Sequence, residues 1–102
     1  MIGFVYLLCD GENFKIGMTK QRDINKRIME LQTGNPNEIW CVKYYETQYP
    51  YKIEQMLHKR YFATNIKNEW FSMTSEDVAK FENECRYCES IINSLKDNPF
   101  MI

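Results

Sequence analysis

The chain opens with a run of apolar, β-branched and aromatic residues from Gly3 to Leu8, followed by the cluster Asp10-Gly11-Glu12-Asn13 and then by Phe14-Lys15-Ile16-Gly17. Two such runs separated by Asp, Gly and Asn read as strands joined by a short loop. The first run does not alternate between apolar and polar positions, which predicts a strand covered on both faces and central in its sheet. Asp23 suits the first free amides of a helix, and Ile24, Ile28 and Leu31 then recur at helical spacing until Gly34 and Asn35-Pro36. Glu38 to Glu46, rich in Ile, Trp, Val and Tyr, predicts a third strand. Pro50 suits the first turn of a second helix, which carries Ile53, Leu57 and Tyr61 on one side and should end near Phe62.

Asn65 to Phe71 reads as a loop running into a short extended piece, Glu69-Trp70-Phe71, whose two aromatics would seal the core against the next helix. Thr74-Ser75-Glu76-Asp77 offers a hydroxyl cap and first-turn acids. Val78, Phe81, Cys85, Cys88, Ile92 and Leu95 then form one stripe as far as Asp97-Asn98-Pro99. The order β-β-α-β-α-(β)-α contains no repeat and no linker. It predicts a single α+β domain over residues 1–102, with a core at about 3–80. Its small antiparallel sheet would have three main strands, the first of them central, with helices flanking it and a C-terminal helix over about 75–96.

A length of 102 residues suits one domain, and 44% hydrophobic with 26% charged residues is the composition of a packed one. The net charge of −1 gives no whole-molecule attraction for a polyanion, so a nucleic-acid surface has to be local. Lys15, Lys20, Arg22, Lys26 and Arg27 against Asp23 and Glu30 leave residues 15–30 at +3, whereas residues 69–89 stand at −4. The apolar opening is far shorter than the roughly 20 residues of a membrane span and lacks the positive flank of a signal peptide. A cytoplasmic, intracellular protein with reduced thiols is therefore expected. Cys85-x-x-Cys88 lies in a predicted helix with no second pair and no neighbouring histidine, which favours core packing over zinc or redox chemistry.

One histidine cannot build a multi-histidine zinc site, and no Gly-x-Ser-x-Gly elbow, P-loop or Gly-rich dinucleotide fingerprint is present. What stands out are polar residues embedded in apolar elements: Tyr6, Lys15, Arg27 and Glu54. The ordered series Phe4-Val5-Tyr6, Lys15-Ile16-Gly17, Lys26-Arg27 and Glu54-Gln55-Met56-Leu57-His58 resembles the GIY-YIG endonuclease superfamily. It looks most like a phage-associated and bacterial branch in which the second motif is K-I-G, followed by Gly-Met-Thr and a later Glu-Trp-Phe. Phe4-Val5 replaces Gly-Ile of the first triplet, and Lys15 stands where many members have a second tyrosine. The asparagine found late in many members has two candidates here, Asn65 and Asn68.

The resemblance implies a metal-dependent endonuclease acting on nucleic acid, with DNA favoured over RNA. Its catalytic residues would be Tyr6, Lys15, Arg27, Glu54 and His58. Glu54 would hold one Mg²⁺ or Mn²⁺ ion, since hard cations prefer carboxylate oxygen and Mg²⁺ often takes one or two carboxylates plus water and phosphate. Arg27 would grip phosphate oxygens with its planar fork and Lys15 would add a point charge. Tyr6 would be the general base, although a free phenol titrates near 10, a gap from neutrality of about three units or roughly 4 kcal/mol that neighbouring cations must offset. His58, one turn after Glu54, could take a proton or touch phosphate. Basic residues of this kind position a strand without reading sequence, so specificity would come from a second copy of the chain or a targeting protein. The contrasting expectation is an inactive nucleic-acid-binding or protein-interaction module on the same fold.

Overall fold

The computed structural model describes residues 2–96. Strand β1 (Gly3–Cys9) pairs antiparallel with β2 (Phe14–Thr19) on one side and with β3 (Trp40–Thr47) on the other. Helix α1 (Ile24–Thr33) links β2 to β3, and α2 (Pro50–Arg60) follows β3. After a 3-10 turn at Phe62–Thr64 come two short strands, β4 (Asn65–Lys67) and β5 (Trp70–Phe71), and then α3 (Ser75–Lys96). The sheet order is β3-β1-β2-β5-β4. The three long strands thus have β1 in the middle, as the unbroken apolar run predicts, and the domain is α+β.

Both faces of β1 are covered. Val5 and Leu7 enter the larger core with Ile16, Ile53, Leu57, Phe71, Phe81 and Cys85. Tyr6 and Leu8 point the other way and pack with Ile39 under Ile24, Ile28 and Leu31 of α1. The helix starts follow their sequence signals. Asp23 Oδ1 accepts from the amides of Asn25 and Lys26 at 3.0 and 3.3 Å. Thr74 and Asp77 cap each other, the Asp77 amide donating to Thr74 Oγ1 at 3.1 Å and the Thr74 amide to Asp77 Oδ2 at 3.0 Å. The Asp97-Asn98-Pro99 stop lies outside the described residues.

Two expectations need correction. Residues 65–67, read as loop, form a strand that pairs with β5 around Asn68, whose φ of 53° makes the tight reversal. The aromatics of β5 do not both seal the core against α3. Because strand side chains alternate, Phe71 enters the larger core while Trp70 packs with Tyr6 and Leu8 on the α1 face. Cys85 and Cys88 are buried core thiols of α3, and all four cysteines are free.

Candidate nuclease site

The site is built where β2 loses its neighbour. Beyond the two ladder pairs Phe14↔Phe71 and Lys15↔Trp70, strand β5 ends. The Ile16 amide still donates to the Glu69 carbonyl at 3.1 Å. The Ile16 carbonyl accepts from a side chain instead, His58 Nε2 of α2, at 2.8 Å. Ile16 therefore ties together three elements and brings Glu69 and the Glu54/His58 face of α2 to the same edge of β2.

Helix α2 buries Pro50, Ile53, Glu54 and Leu57. These fall at i, i+3, i+4 and i+7, the core-facing stripe of a helix, so Glu54 occupies a position that apolar packing would give to leucine. It is only 5% exposed. Gln55 Nε2 donates to its Oε1 at 3.0 Å. Burial pushes the Glu54 carboxyl pKa up, and the neighbouring charge of Glu69 adds to the rise. A buried carboxylate beside a second one is costly to keep ionised, which marks this pair as a place where a cation would be favoured.

Tyr6 and Gly17 are partners across β1 and β2. A β-carbon at Gly17 would stand 2.6 Å from the Tyr6 hydroxyl and from two of its ring carbons. The glycine thus lets the phenol lie against the β2 backbone, next to the stretch that Ile16 organises. Tyr6 is almost wholly buried. Burial raises its pKa, a hydrogen bond and charge from Arg27 oppose the rise, and Glu69 and Glu54 add to it. Arg27 reaches Tyr6 because it sits three residues after Ile24 on the stripe of α1 that faces the sheet. Lys15 pairs with Glu69, Nζ to Oε2 at 3.3 Å, and lies over the Trp70 ring at 5.8 Å from its centroid.

Tyr6, Lys15, Arg27, Glu54 and His58 are thus joined in one electrostatic neighbourhood. Tyr6 faces Arg27, Glu69 mediates between Lys15 and Glu54, and His58 lies beside Glu54. Glu69 appears in the sequence pattern only as part of the Glu-Trp-Phe stretch, with no site role attached to it. Donor atoms of Glu54, His58 and Glu69 lie within 4.8 Å of one another, so these residues could hold a metal ion. Asn65, one of two candidates for a late asparagine, is spent on structure, its Nδ2 donating to the carbonyls of Asn68 and Trp70 at 2.8 and 3.1 Å.

Among the described residues no helix is long and apolar enough to cross a membrane. Comparison with curated proteins and with solved structures gives no match. Residues 3–86 match the T5orf172 domain, a span that contains every residue of the site. The chain belongs to the T5orf172 domain family, a domain found in nuclease-like proteins of phages and bacteria.

Proposed function

We propose that this protein is an endonuclease of GIY-YIG type that hydrolyses DNA phosphodiester bonds with the help of a divalent metal ion. The observation that supports this reading is electrostatic: Tyr6 of β1, on the α1 face, feels Arg27 of α1 most and the charges of Glu69 and of the buried Glu54 of α2 more weakly, so three separate elements act on one phenol. Packing alone does not call for a carboxylate on the core stripe of α2.

Phosphodiester hydrolysis needs an activated water, charge neutralised on the phosphate and a stabilised leaving oxygen. Glu54 would hold a Mg²⁺ or Mn²⁺ ion, which would supply Lewis-acid stabilisation of the phosphate and leaving oxygen. Arg27 binds the phosphate oxygens with its fork, and Lys15 adds positive charge once released from Glu69. Tyr6 orients the attacking water and takes its proton. Tyr6 on its own is a neutral phenol, because burial, with smaller contributions from Glu69 and Glu54, outweighs Arg27. Neutralising the two carboxylates would remove the smaller part of what raises its pKa, and the larger part, burial, has to be offset by Arg27 and Lys15. The exposed residues Lys20, Arg22 and Lys26 extend positive charge from Arg27 along the nucleic-acid backbone.

The test is incubation of the purified protein with duplex, branched and single-stranded DNA in Mg²⁺ or Mn²⁺, and again in excess chelator. Cleavage that chelator abolishes is expected. Binding of DNA without cleavage of any substrate in either metal would replace the enzyme by a binding module on the same fold.

A further inference from the structure

We propose that Glu54, His58 and Glu69 together form one divalent-ion site of mixed oxygen and nitrogen donors, which selects a first-row transition ion such as Mn²⁺ over Mg²⁺. The proposal deepens the nuclease reading, on which it rests for the presence of an ion at Glu54, and it adds two ligands and a metal preference. The three side chains come from two elements: Glu54 and His58 lie one turn apart on α2, and Glu69 immediately precedes β5. Their donor atoms lie within 4.8 Å of one another.

His58 is held through one ring nitrogen by a backbone carbonyl, as ligating histidines are. Its Nε2 meets a backbone carbonyl, that of Ile16, at 2.8 Å. A carbonyl only accepts, so Nε2 carries a proton, which leaves Nδ1 as the nitrogen that can serve as a ligand. Ligating histidines characteristically donate their other ring N–H to a carbonyl or carboxylate, which fixes tautomer and orientation. The ring also packs against Phe71, with centroids 5.2 Å apart, which limits its rotation. Glu54 is 5% exposed, and its Oε1 is held by Gln55 Nε2 at 3.0 Å. Glu69 reaches toward Glu54 while its Oε2 is paired with Lys15 Nζ at 3.3 Å. A cation thus already lies on the Glu69 carboxylate, and a metal ion would take over that role and free Lys15.

The donor set decides the selectivity. Carboxylate oxygens serve Mg²⁺ and Mn²⁺ alike, whereas imidazole nitrogen favours first-row transition ions, and Mg²⁺ keeps its waters in preference to a nitrogen ligand. One carboxylate would leave the choice open. Two carboxylates and an imidazole tip it toward the transition ion.

The chain contains one histidine, so a ¹⁵N imidazole spectrum reports on His58 alone. The experiment titrates the full chain, without nucleic acid, with Mn²⁺ and with Mg²⁺ by calorimetry, and with diamagnetic Zn²⁺ by NMR. Mn²⁺ should bind at least about 10-fold more tightly than Mg²⁺. Zn²⁺ should shift the Nδ1 resonance while Nε2 stays protonated, and folded Glu69→Gln should weaken Mn²⁺ binding by at least about 10-fold. Equal affinity for Mg²⁺ and Mn²⁺, an unmoved Nδ1 resonance at saturating Zn²⁺, no binding of any of the ions, or unchanged affinity in Glu69→Gln would overturn the proposal. The two readings fail separately. Cleavage that needs Glu54 but leaves His58 unshifted overturns this site and keeps the nuclease, whereas an ion bound by all three residues without cleavage does the reverse.

Discussion

The Tyr6 ring lies against the backbone of Gly17 so closely that any β-carbon there would stand 2.6 Å from the phenol oxygen. The glycine of the K-I-G triplet is therefore a spacing device for the tyrosine across the strand. Gly17→Ala must push Tyr6 away within a packed interior, at about 1–3 kcal/mol of stability for the overpacking. Cleavage should fall by a larger factor than DNA affinity, because Lys20, Arg22 and Lys26 lie outside the displaced contact. Thermal unfolding and paired binding and cleavage assays on the folded variant check this, and unchanged turnover would show that the Tyr6 position is immaterial.

Glu54 should cost the metal-free protein stability, and the cost should depend on pH. Burial first, and Glu69 next, raise its pKa above the ordinary 4.5. The folded chain then holds the proton more tightly than the unfolded one, so stability is undiminished below the unfolded value and falls as pH rises through the folded one. Glu54→Gln, which cannot ionise, should melt higher than wild type in chelator at about pH 7 and gain little at about pH 4. An equal shift at both values would mean that ionisation of Glu54 is not the source.

Tyr6→Phe removes one oxygen and keeps the ring that fills the α1 face. Stability should change by no more than about 0.5–1.5 kcal/mol, the worth of one hydrogen bond. DNA binding should persist through Arg27 and the basic segment, while turnover drops at least about 100-fold, the low end for a positioned general base. Full activity in both this variant and Arg27→Ala would remove the proposed division of roles.

The Cys85/Cys88 pair gives a contrasting case. Both thiols are buried in the α3 core, and burial pushes their pKa values up, most strongly for Cys85, which disfavours the thiolate that metal or redox chemistry requires. Replacing both with alanine should cost about 1–3 kcal/mol in lost packing. Cleavage and metal affinity should be unaltered, as measured on folded protein below its melting temperature.

Much of this was legible in the residues because local signals and tertiary demand agree. Asp23 and Thr74 cap the helices their positions announce, and the unbroken apolar run of β1 is buried on both faces. Tyr6, Arg27 and Glu54 stand out as polar groups at positions that packing would make apolar. Asn65-Ile66-Lys67 carries no such signal, since all three residues are exposed and the strand exists through its pairing with Trp70 and Phe71. The role of Glu69, as distinct from its place in Glu-Trp-Phe, was hidden for a related reason. An acidic residue before a short extended piece resembles any solvated carboxylate until the Ile16 amide, bonded to its carbonyl, shows which edge it joins. The closeness of Gly17 to Tyr6 likewise needs the strand register, which the chain order alone leaves open.

The central claim is that Glu54 is required for metal-dependent hydrolysis, and single-turnover cleavage by Glu54→Ala in saturating Mn²⁺ tests it most directly. The substrate is the DNA that wild type cuts best, and circular dichroism and thermal melting establish that the variant is folded. The expected result is retained DNA binding with near-complete loss of cleavage. Cleavage at the wild-type rate by the folded variant would contradict the assignment of the metal and, with it, the catalytic site.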